Sequence, residues 1–574
     1  MARRGGAVHV VTTRRRYKER VYEAHLLRRT YREGGKVRNE TVGNLSHLPA
    51  ETIELVRRSL RGERFLALDE SLAVERSLPH GHVEAALQMA RRLQLVRLLD
   101  RKPSPERQLC LAMLVERVLQ PASKLATARG LAESTLASEL GLEGADEDDL
   151  YAALDWLAER QAAIERRLAR RHLRAGEHAL YDVSSSYFEG RTCPLAQVGY
   201  SRDRRRGSLQ LVYGLLCDRR GRPLAAEPFA GALHDDQTLP DQLVALRERF
   251  GLERLVLVVD RGMVTDANLA AIGEAGYAFI TALKAPQVKR LVKEGDLQLS
   301  LLDEQGLAEI ASAAYPGERL VVCRNPLVGA ERARKREALL AATEQELRAI
   351  VRRVEQGRLR GKAEIGLAVG AVWNRYRVRK HFRVEIADDA LRVERRQAEI
   401  AAEAALDGIY ILRTSLPEAE LQASDVVRAY KQLAQVERAH RTLKGPDLEL
   451  RPIHHRLEQR VRAHLFLCTL AYYLEWHLRY AWRELLYADE QPPLADDPVA
   501  PRQRSPEAAR KARRKRTAAG ERCHSWPTLL RHLSLRCRNT IRLAGPQASF
   551  DKVTEPTPTQ ARALDLVESV ELPP

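Results

Sequence analysis

Hydrophobic and polar positions change period along the chain, and the changes mark its regions. Residues 8–41 alternate Val, Thr, Tyr and Leu with Arg and break at Glu33-Gly34-Gly35-Lys36, which predicts a small basic β-ribbon within a 1–80 region. From about 83 to 175 apolar residues recur at three-to-four spacing. VEAALQMARRLQLVRLLD, RQLCLAMLVERVL and LYAALDWLAERQAAIERRLARRHL predict helices, punctuated by Pro103, Pro121, Gly141 and Gly144. This 81–175 region reads either as a helical DNA-binding region or as a plain helical scaffold. Over 176–286 strand-like runs return: HALYDVSSSYF, SLQLVYGLLCD, PLAAEPFAG, then LERLVLVVD and YAFITALK with helices between them. Residues 287–405 do not continue that pattern. A charged helix (331–356) and strand-like runs (366–386) predict an inserted β-rich and helical domain. GIYILRTSL (408–416) then resumes a buried run, so 406–490 is read as the return to the core. Residues 491–574 read as a basic polar tail with some helix near 525–535.

The order over 176–286 is β-β-β-α-β-α-β, the order of a ribonuclease-H-like fold. The expected fold class is therefore α/β: a ribonuclease-H-like core interrupted by the 287–405 insertion, preceded by a basic ribbon and a helical region. Fold order alone assigns no function.

Composition narrows the partners. The chain has 574 residues, room for about four domain-sized units, and carries 95 Lys+Arg against 77 Asp+Glu, a net charge of +18. Such a surface favours a polyanion, such as nucleic acid or an anionic membrane face. The run RQRSPEAARKARRKR (502–516) fits a solvated, disordered segment and a phosphate-binding one equally. Seven scattered Cys without a CxxC pair exclude a disulfide framework and fit a reducing compartment. The N-terminus lacks the apolar core of a signal peptide. The most apolar span, 461–478, is broken by Arg462, His464, Glu475 and His477, so it predicts a buried helix rather than a membrane crossing. No phosphate-binding GxxxxGK[ST] loop is present: Gly357, Gly361, Lys362 and Ala363 have the wrong spacing and lack the hydroxyl. The expectation is a soluble, cytoplasmic protein with no membrane and no nucleotide triphosphate partner.

Three carboxylates stand out. Asp182 lies mid-strand in ALYDVSSS, where Asp is depleted and an unpartnered carboxylate is costly. Asp260 ends LVLVVD, at a strand terminus of the kind where α/β proteins place ligands. Helix capping is its ordinary alternative, but Thr265 and Asp266 are better placed to cap the next helix. The third lies on a predicted helix from the Ser424/Asp425 cap to Gly445, where Tyr430, Glu437 and Lys444 are seven residues apart. Seven residues advance 700°, about 20° short of two turns, so the three share one stripe. Three close carboxylates repel unless a cation neutralises them, and hard oxygen donors select Mg²⁺ or Mn²⁺. Two such ions would suit in-line phosphoryl displacement, with Asp182 bridging and Asp260 and Glu437 completing one shell each. His440, His454, His455, His464 and His477 cluster in sequence without HExxH or a Cys partner, and are read as packing or facing DNA.

With these residues in hand, the chain resembles the DDE transposases of bacterial insertion sequences, of the IS-four type and its IS-sixteen-thirty-four branch. The matching stretches are LYDVSSSYFEG (180–190), GYSRDRRRGSLQLVYGLL (199–216), LVVDRGMVTDANL (257–269), YKQLAQVERAHRTLK (430–444) and the segment 448–475. The resemblance covers roughly 10–480. It implies that Asp182, Asp260 and Glu437 form the catalytic, metal-holding triad. The signature Tyr-x2-Arg-x3-Glu-x6-Lys is met at Tyr430, Glu437 and Lys444, while Leu433 stands where Arg is usual. The phosphate-contacting role of that Arg would pass to Lys431 or Arg441. The resemblance further implies a transposase that binds the terminal inverted repeats of its element, cleaves strands and transfers them, acting on double-stranded DNA as at least a homodimer in the bacterial nucleoid. The alternatives are an idle, repurposed transposase that only binds DNA, and a nuclease on the same fold.

Overall fold

The computed structural model describes residues 6–63, 72–190, 192–297, 302–303, 306–493, 497–500, 503–543 and 548–573. It divides into two compact units: Met1–Ser77 with Arg538–Val553, and Leu78–Cys537 with Thr554–Pro574.

In the first unit β1 (Ala7–Tyr17), β2 (Arg20–Glu33) and β3 (Lys36–Asn44) form an antiparallel meander. Glu33 pairs with Lys36, so Gly34 and Gly35 make a two-residue turn. Their φ values of +58° and +78° are the left-handed pair that such a turn needs and that glycine adopts without a Cβ clash. The predicted ribbon is thus the hairpin β2–β3 with β1 added. A helix, Ala50–Leu60, comes next and buries Ile53. β4 (Leu72–Pro79) pairs with a strand from near the other end of the chain.

The second unit begins with helices, the longest being Pro105–Leu119 and Glu147–His172. Each start has a local cause. Ser104 Oγ accepts from Arg107 N–H with Pro105 in the first turn, and Asp146 and Asp149 form a reciprocal capping box. Then come the strands: β5 (His178–Tyr187), the short β6 (Gln197–Val198), β7 (Leu209–Asp218), β8 (Pro223–Ala230), β9 (Val256–Val259) and β10 (Ala278–Ala282). β5, β7 and β8 form an antiparallel meander, and β9 and β10 add parallel on the other side of β5. β9 reads VLVV and is buried throughout, as befits a strand covered on both faces.

Beyond β10 the structure departs from expectation. β11 (Leu307–Ile310) and β12 (Arg319–Arg324) extend the same sheet, which runs β11-β12-β15-β10-β9-β5-β7-β6 with β8 also on β7; β15 is Ile409–Thr414. Residues 307–324, expected in the insertion, therefore belong to the central sheet, because the buried Leu320, Val321 and Val322 pair along β15. The run 366–386 is not mainly strand. Most of it lies in the helix Lys362–Tyr376, since Ile365, Val369 and Val372 recur at helical spacing and are the residues it buries. Only Phe382–Ile386 is a strand (β13), paired with β14 (Leu391–Arg395). With the helix Pro326–Glu355 these elements enclose a small core of their own around Leu340, Leu347, Ile365 and Phe382.

The helix Glu458–Ala481, expected to be buried, packs against Glu147–His172, Pro105–Leu119 and β8. The N-terminal helices and the sheet consequently share one apolar core. Glu165 joins the two layers: fully buried, it takes Arg249 Nη1 at 2.6 Å and Ala226 N at 3.3 Å. Among the described residues no helix is long and apolar enough to cross a membrane.

Residues 491–574 are not a polar tail. The helices Trp526–Ser534 and Pro558–Ser569 bury Trp526, Leu529, Leu533, Ala563 and Val567 in the main core. In the sequence, the surrounding charge outweighs the short apolar spacing of these helices. Of the basic run 502–516, Arg502 lies outside the described residues, and Pro506–Arg514 is a helix whose Lys511 is buried. Its ammonium donates to the carbonyls of Arg483 and Leu486 and to Glu490, which neither a disordered nor a phosphate-facing lysine would do. Finally β16 (Cys537–Leu543) and β17 (Ala548–Val553) form a sheet with β4, in the order β17-β16-β4.

Trp482 is fully buried, packs at 5.6 Å from the Trp526 ring and donates its Nε1–H to Ala563 O at 2.9 Å. Trp482→Ala should lose the ring, its hydrogen bond and the contact that holds the C-terminal helices. The expected cost is roughly 3–5 kcal/mol, seen as a lower thermal midpoint and as earlier proteolysis after residue 520.

Candidate active site

Strand register builds the first half of the site. β5 and β9 run parallel with Tyr181 opposite Val259, so one further step sets Asp182 beside Asp260 on neighbouring strands. Adjacent strands lie about 4.8 Å apart, and two residues at the same level point to the same face. Asp260 closes β9 in an extended conformation, where its Oδ2 accepts Gly262 N–H at 3.2 Å. The next helix is capped by Thr265, whose Oγ1 accepts from Asn268 N–H. Asp260 is thus not used to cap that helix.

The second half comes from the segment after β15. It is not one helix but two, Ala423–Lys431 and Leu433–Lys444, starting after Gln422 rather than at a Ser424/Asp425 cap. At Gln432 the ladder tightens: Gln432 N–H donates to Ala429 O and Gln435 N–H to Gln432 O, both three residues back. Leu433, in the place where the signature expects Arg, is buried. The second helix packs on β5 and carries Glu437. Despite the break, Tyr430, Lys431, Glu437, Arg441 and Lys444 line one open cleft of about 1040 Å³ together with Asp182 and Asp260. All seven residues singled out in the sequence come together there.

The electrostatics are those of a crowded carboxylate site. Burial, with the negative charges of Asp260 and Glu437, pushes the Asp182 carboxyl up to about 6, while Arg202 and the Val183 N–H pull the other way. Burial and the same two carboxylates raise the Tyr430 phenol. Among the described residues no group of three His, Cys, Asp or Glu is drawn close enough to enclose a metal ion. The donor set nevertheless fits one, since a desolvated carboxylate with two like-charged neighbours is relieved by a divalent cation taking hard oxygen ligands.

The two lysines are held by protein groups. Lys431 Nζ donates to the carbonyls of Pro498 and Ala500, the latter at 2.7 Å. Lys444 Nζ lies 3.2 Å from Oδ1 of Asp203, which also pairs with Arg451 and accepts Tyr187 N–H at 3.1 Å. Burial lowers the Lys444 ammonium against the pull of Asp203. Arg441 is exposed on the cleft and makes no side-chain bond among the described residues.

Sequence reasoning passed over several groups here. Asp203, whose side chain is 3% exposed, anchors Lys444 and Arg451. Arg202 pairs with Asp235, and both face the cleft. Arg202 and Asp203 lie in the stretch 199–216 that carries part of the resemblance, and that is their only signal. His440 is buried, with Nε2 3.4 Å from the Asp182 carbonyl and 3.8 Å from its carboxylate, and burial lowers it to about 3, so it is neutral. Of the other histidines of the cluster three pack: His464 Nε2 meets Leu450 O, the His455 ring lies tilted against that of His464, and His477 Nδ1 meets Tyr473 O, whereas His454 is exposed.

A carboxylate cleft rimmed by arginine suits chemistry at phosphate esters. Comparison with known proteins says whose chemistry it is. Residues 178–474 match the family model described as transposase DDE domain, and residues 10–70 match that described as IS1634 family transposase, N-terminal domain. The first match alone spans more than half of the chain, and the protein belongs to the DDE transposase family, with the N-terminal domain of the IS1634 type. It is a DNA transposase. A comparison with curated proteins finds no match. One similar solved structure is titled "Cryo-EM structure of piggyBac transposase synaptic complex with hairpin DNA (SNHP)"; identity is 9% over 79% of this chain and 76% of that one, with a TM-score of 0.33. That likeness is too distant to carry a conclusion.

Asp203→Ala should leave Lys444 and Arg451 without their shared carboxylate. A broken buried ion pair costs roughly 3–5 kcal/mol, expected as a lower thermal midpoint, with Asp203→Asn intermediate.

Proposed function

We propose that the chain binds the terminal inverted repeats of its element, cleaves them at the cleft and joins the freed ends to target DNA. The core is read as ribonuclease-H-like: its β8-β7-β5-β9-β10 strands, taken in chain order, run 3-2-1-4-5 with the last two parallel to the first. The observation that carries the proposal is the level pairing of Asp182 with Asp260, with Glu437 on the same cleft.

Asp182, Asp260 and Glu437 would hold Mg²⁺ or Mn²⁺, as two ions. When bound, the ions supply charge stabilisation at the phosphate and lower the barrier to forming an oxygen nucleophile. The chain's own groups do the rest. Arg441 offers an uncommitted guanidinium to the backbone phosphates. Lys444, fixed by Asp203, adds a positive charge at a set position, while Lys431 braces the cleft wall through the Pro498 and Ala500 carbonyls. Neutral His440 supports the Asp182 backbone without adding charge beside the carboxylates. Tyr430 stays protonated and supplies an apolar wall with a hydroxyl at its tip.

The reaction has two stages. Water attacks the end phosphodiester, the P–O3′ bond breaks and a 3′-hydroxyl is released. That hydroxyl then attacks a target phosphodiester, forming one P–O bond as another breaks, so no nucleotide hydrolysis is needed. The basic first unit and the N-terminal helices would add contacts to the inverted repeats. The segment 326–404, with its own small core, would be the insertion that shapes the site. Two ends cut together imply at least a homodimer on DNA.

Asp182→Asn, Asp260→Asn and Glu437→Gln should each abolish strand cleavage while duplex binding persists, measured on an oligonucleotide carrying the element's end. Cleavage by any of them at near wild-type rate would remove that residue from the proposed triad. Arg441→Ala should flatten the salt dependence of binding by about 0.9 in the log–log slope, the value of one phosphate contact. An unchanged slope would take Arg441 off the phosphate path.

A further inference from the structure

A second pocket of about 540 Å³ opens elsewhere on the main unit. Asp182 and Asp260 sit toward the carboxyl ends of the parallel strands. This pocket sits at their amino ends, where Glu177 precedes β5 and Asp218 and Arg219 close the antiparallel β7. The ends of the helices Gly81–Arg92 and Glu147–His172 form its walls with Tyr473 and His477.

Five arginines face it against two carboxylates, of which Asp218 is ion-paired and Glu177 accepts a backbone N–H and keeps its charge. Asp218 binds Arg222 at 2.7 Å, each side chain only 2% exposed, and Glu177 accepts Arg174 N–H at 2.9 Å. Arg222 also donates to Pro573 O at 2.9 Å, which fixes it in the floor. Arg92 and Arg171 are braced by neutral oxygens: Arg92 donates to Val570 O at 2.7 Å, and Arg171 Nη1 to Leu93 O at 2.8 Å. Carbonyl partners orient a guanidinium but leave its charge in place. Arg174 and Arg219 are exposed, and their guanidinium groups bond to nothing among the described residues.

His172 is 8% exposed, lines the pocket and leaves Nδ1 without a hydrogen-bond partner, while its Nε2 meets Tyr473 Oη at 2.8 Å. Burial, with the surrounding Arg222 and Arg171 charges, holds this imidazole at about 2 and hence neutral. Among the described residues that line the pocket, five guanidinium charges stand against the two carboxylates Asp218 and Glu177.

We propose that this pocket is a phosphate-binding site, with Arg174 and Arg219 as the receiving cations, Arg222 fixed in the floor and Arg171 held at the rim by the Leu93 carbonyl. Planar guanidinium groups pair bidentately with oxyanions, which favours an oxyanion over a halide, and the excess of positive charge suits a multiply charged phosphate better than a single carboxylate. The phosphate can come from a DNA backbone passing over the far end of the sheet or from a free polyphosphate. The experiment separates the two. Full-length protein and the double variant Arg174→Ala/Arg219→Ala are titrated by calorimetry with sodium tripolyphosphate, and separately with a duplex oligonucleotide across a salt series.

For a DNA source, the variant's log–log salt slope for duplex binding falls by roughly 1.8, two contacts at about 0.9 each. For a free-anion source, the tripolyphosphate stoichiometry falls by one and the duplex slope stays. Arg174→Lys/Arg219→Lys should restore the slope in the first case, since charge is kept, and serves as the control for folding. If both variants match wild type with both ligands, the site is refuted. Arg441→Ala must leave the tripolyphosphate stoichiometry unchanged; a loss there would place the anion in the carboxylate cleft and refute the assignment. Because the cleavage variants act on a different cleft, failure of this proposal and failure of the triad are read separately.

Discussion

The parallel register between β5 and β9 is the constraint on which the rest depends. Sheet geometry leaves no choice once Tyr181 stands opposite Val259: the next residue on each strand is an aspartate, and the two carboxylates must share one face. A one-residue slip would send one of them to the other side and dissolve the site. The close packing of β9 and β5 on both faces resists that slip, since every buried side chain of the strand would have to be repacked against new neighbours. Apolar packing therefore sets the position of the charged groups, and the unfavourable proximity of those groups is what makes a cation welcome.

The surrounding polar network answers a related problem. A cleft that must receive a polyanion cannot leave its own cations loose, because flexible lysines lose entropy on binding. Asp203 fixes Lys444 and Arg451, Asp235 fixes Arg202, and two backbone carbonyls fix Lys431. Arg441 stays uncommitted at the rim. Leu433, where the signature expects arginine, contributes to packing instead, so the rim carries one fewer cation than the pattern implies.

Much of this was legible in the chain. β5, β9 and the glycine turn of β2–β3 announced themselves through period and composition, and the three carboxylates through being out of place in those patterns. Other features were hidden for physical reasons. The pairing of β12 with β15 joins residues far apart in sequence, which no local pattern records. The helix Lys362–Tyr376 mixes β-branched residues with helical spacing, and the spacing prevails. The C-terminal helices bury Trp526 and Val567 amid a charge density that reads as solvated. Asp203 looks like any aspartate in a basic loop until the fold buries it between two cations.

The small sheet β17-β16-β4 brings together residues 72–79 and 537–553, stretches near opposite ends of the polypeptide. A ribosome adding 5–20 residues per second needs roughly 25–90 seconds to travel from one to the other. Throughout that interval β4 emerges without its partner, an open edge exposed to the nascent chain's surroundings. The first unit is completed only after the residues of the carboxylate cleft have been made, so a product terminated before residue 537 would keep those residues but lack the strands that finish its N-terminal module.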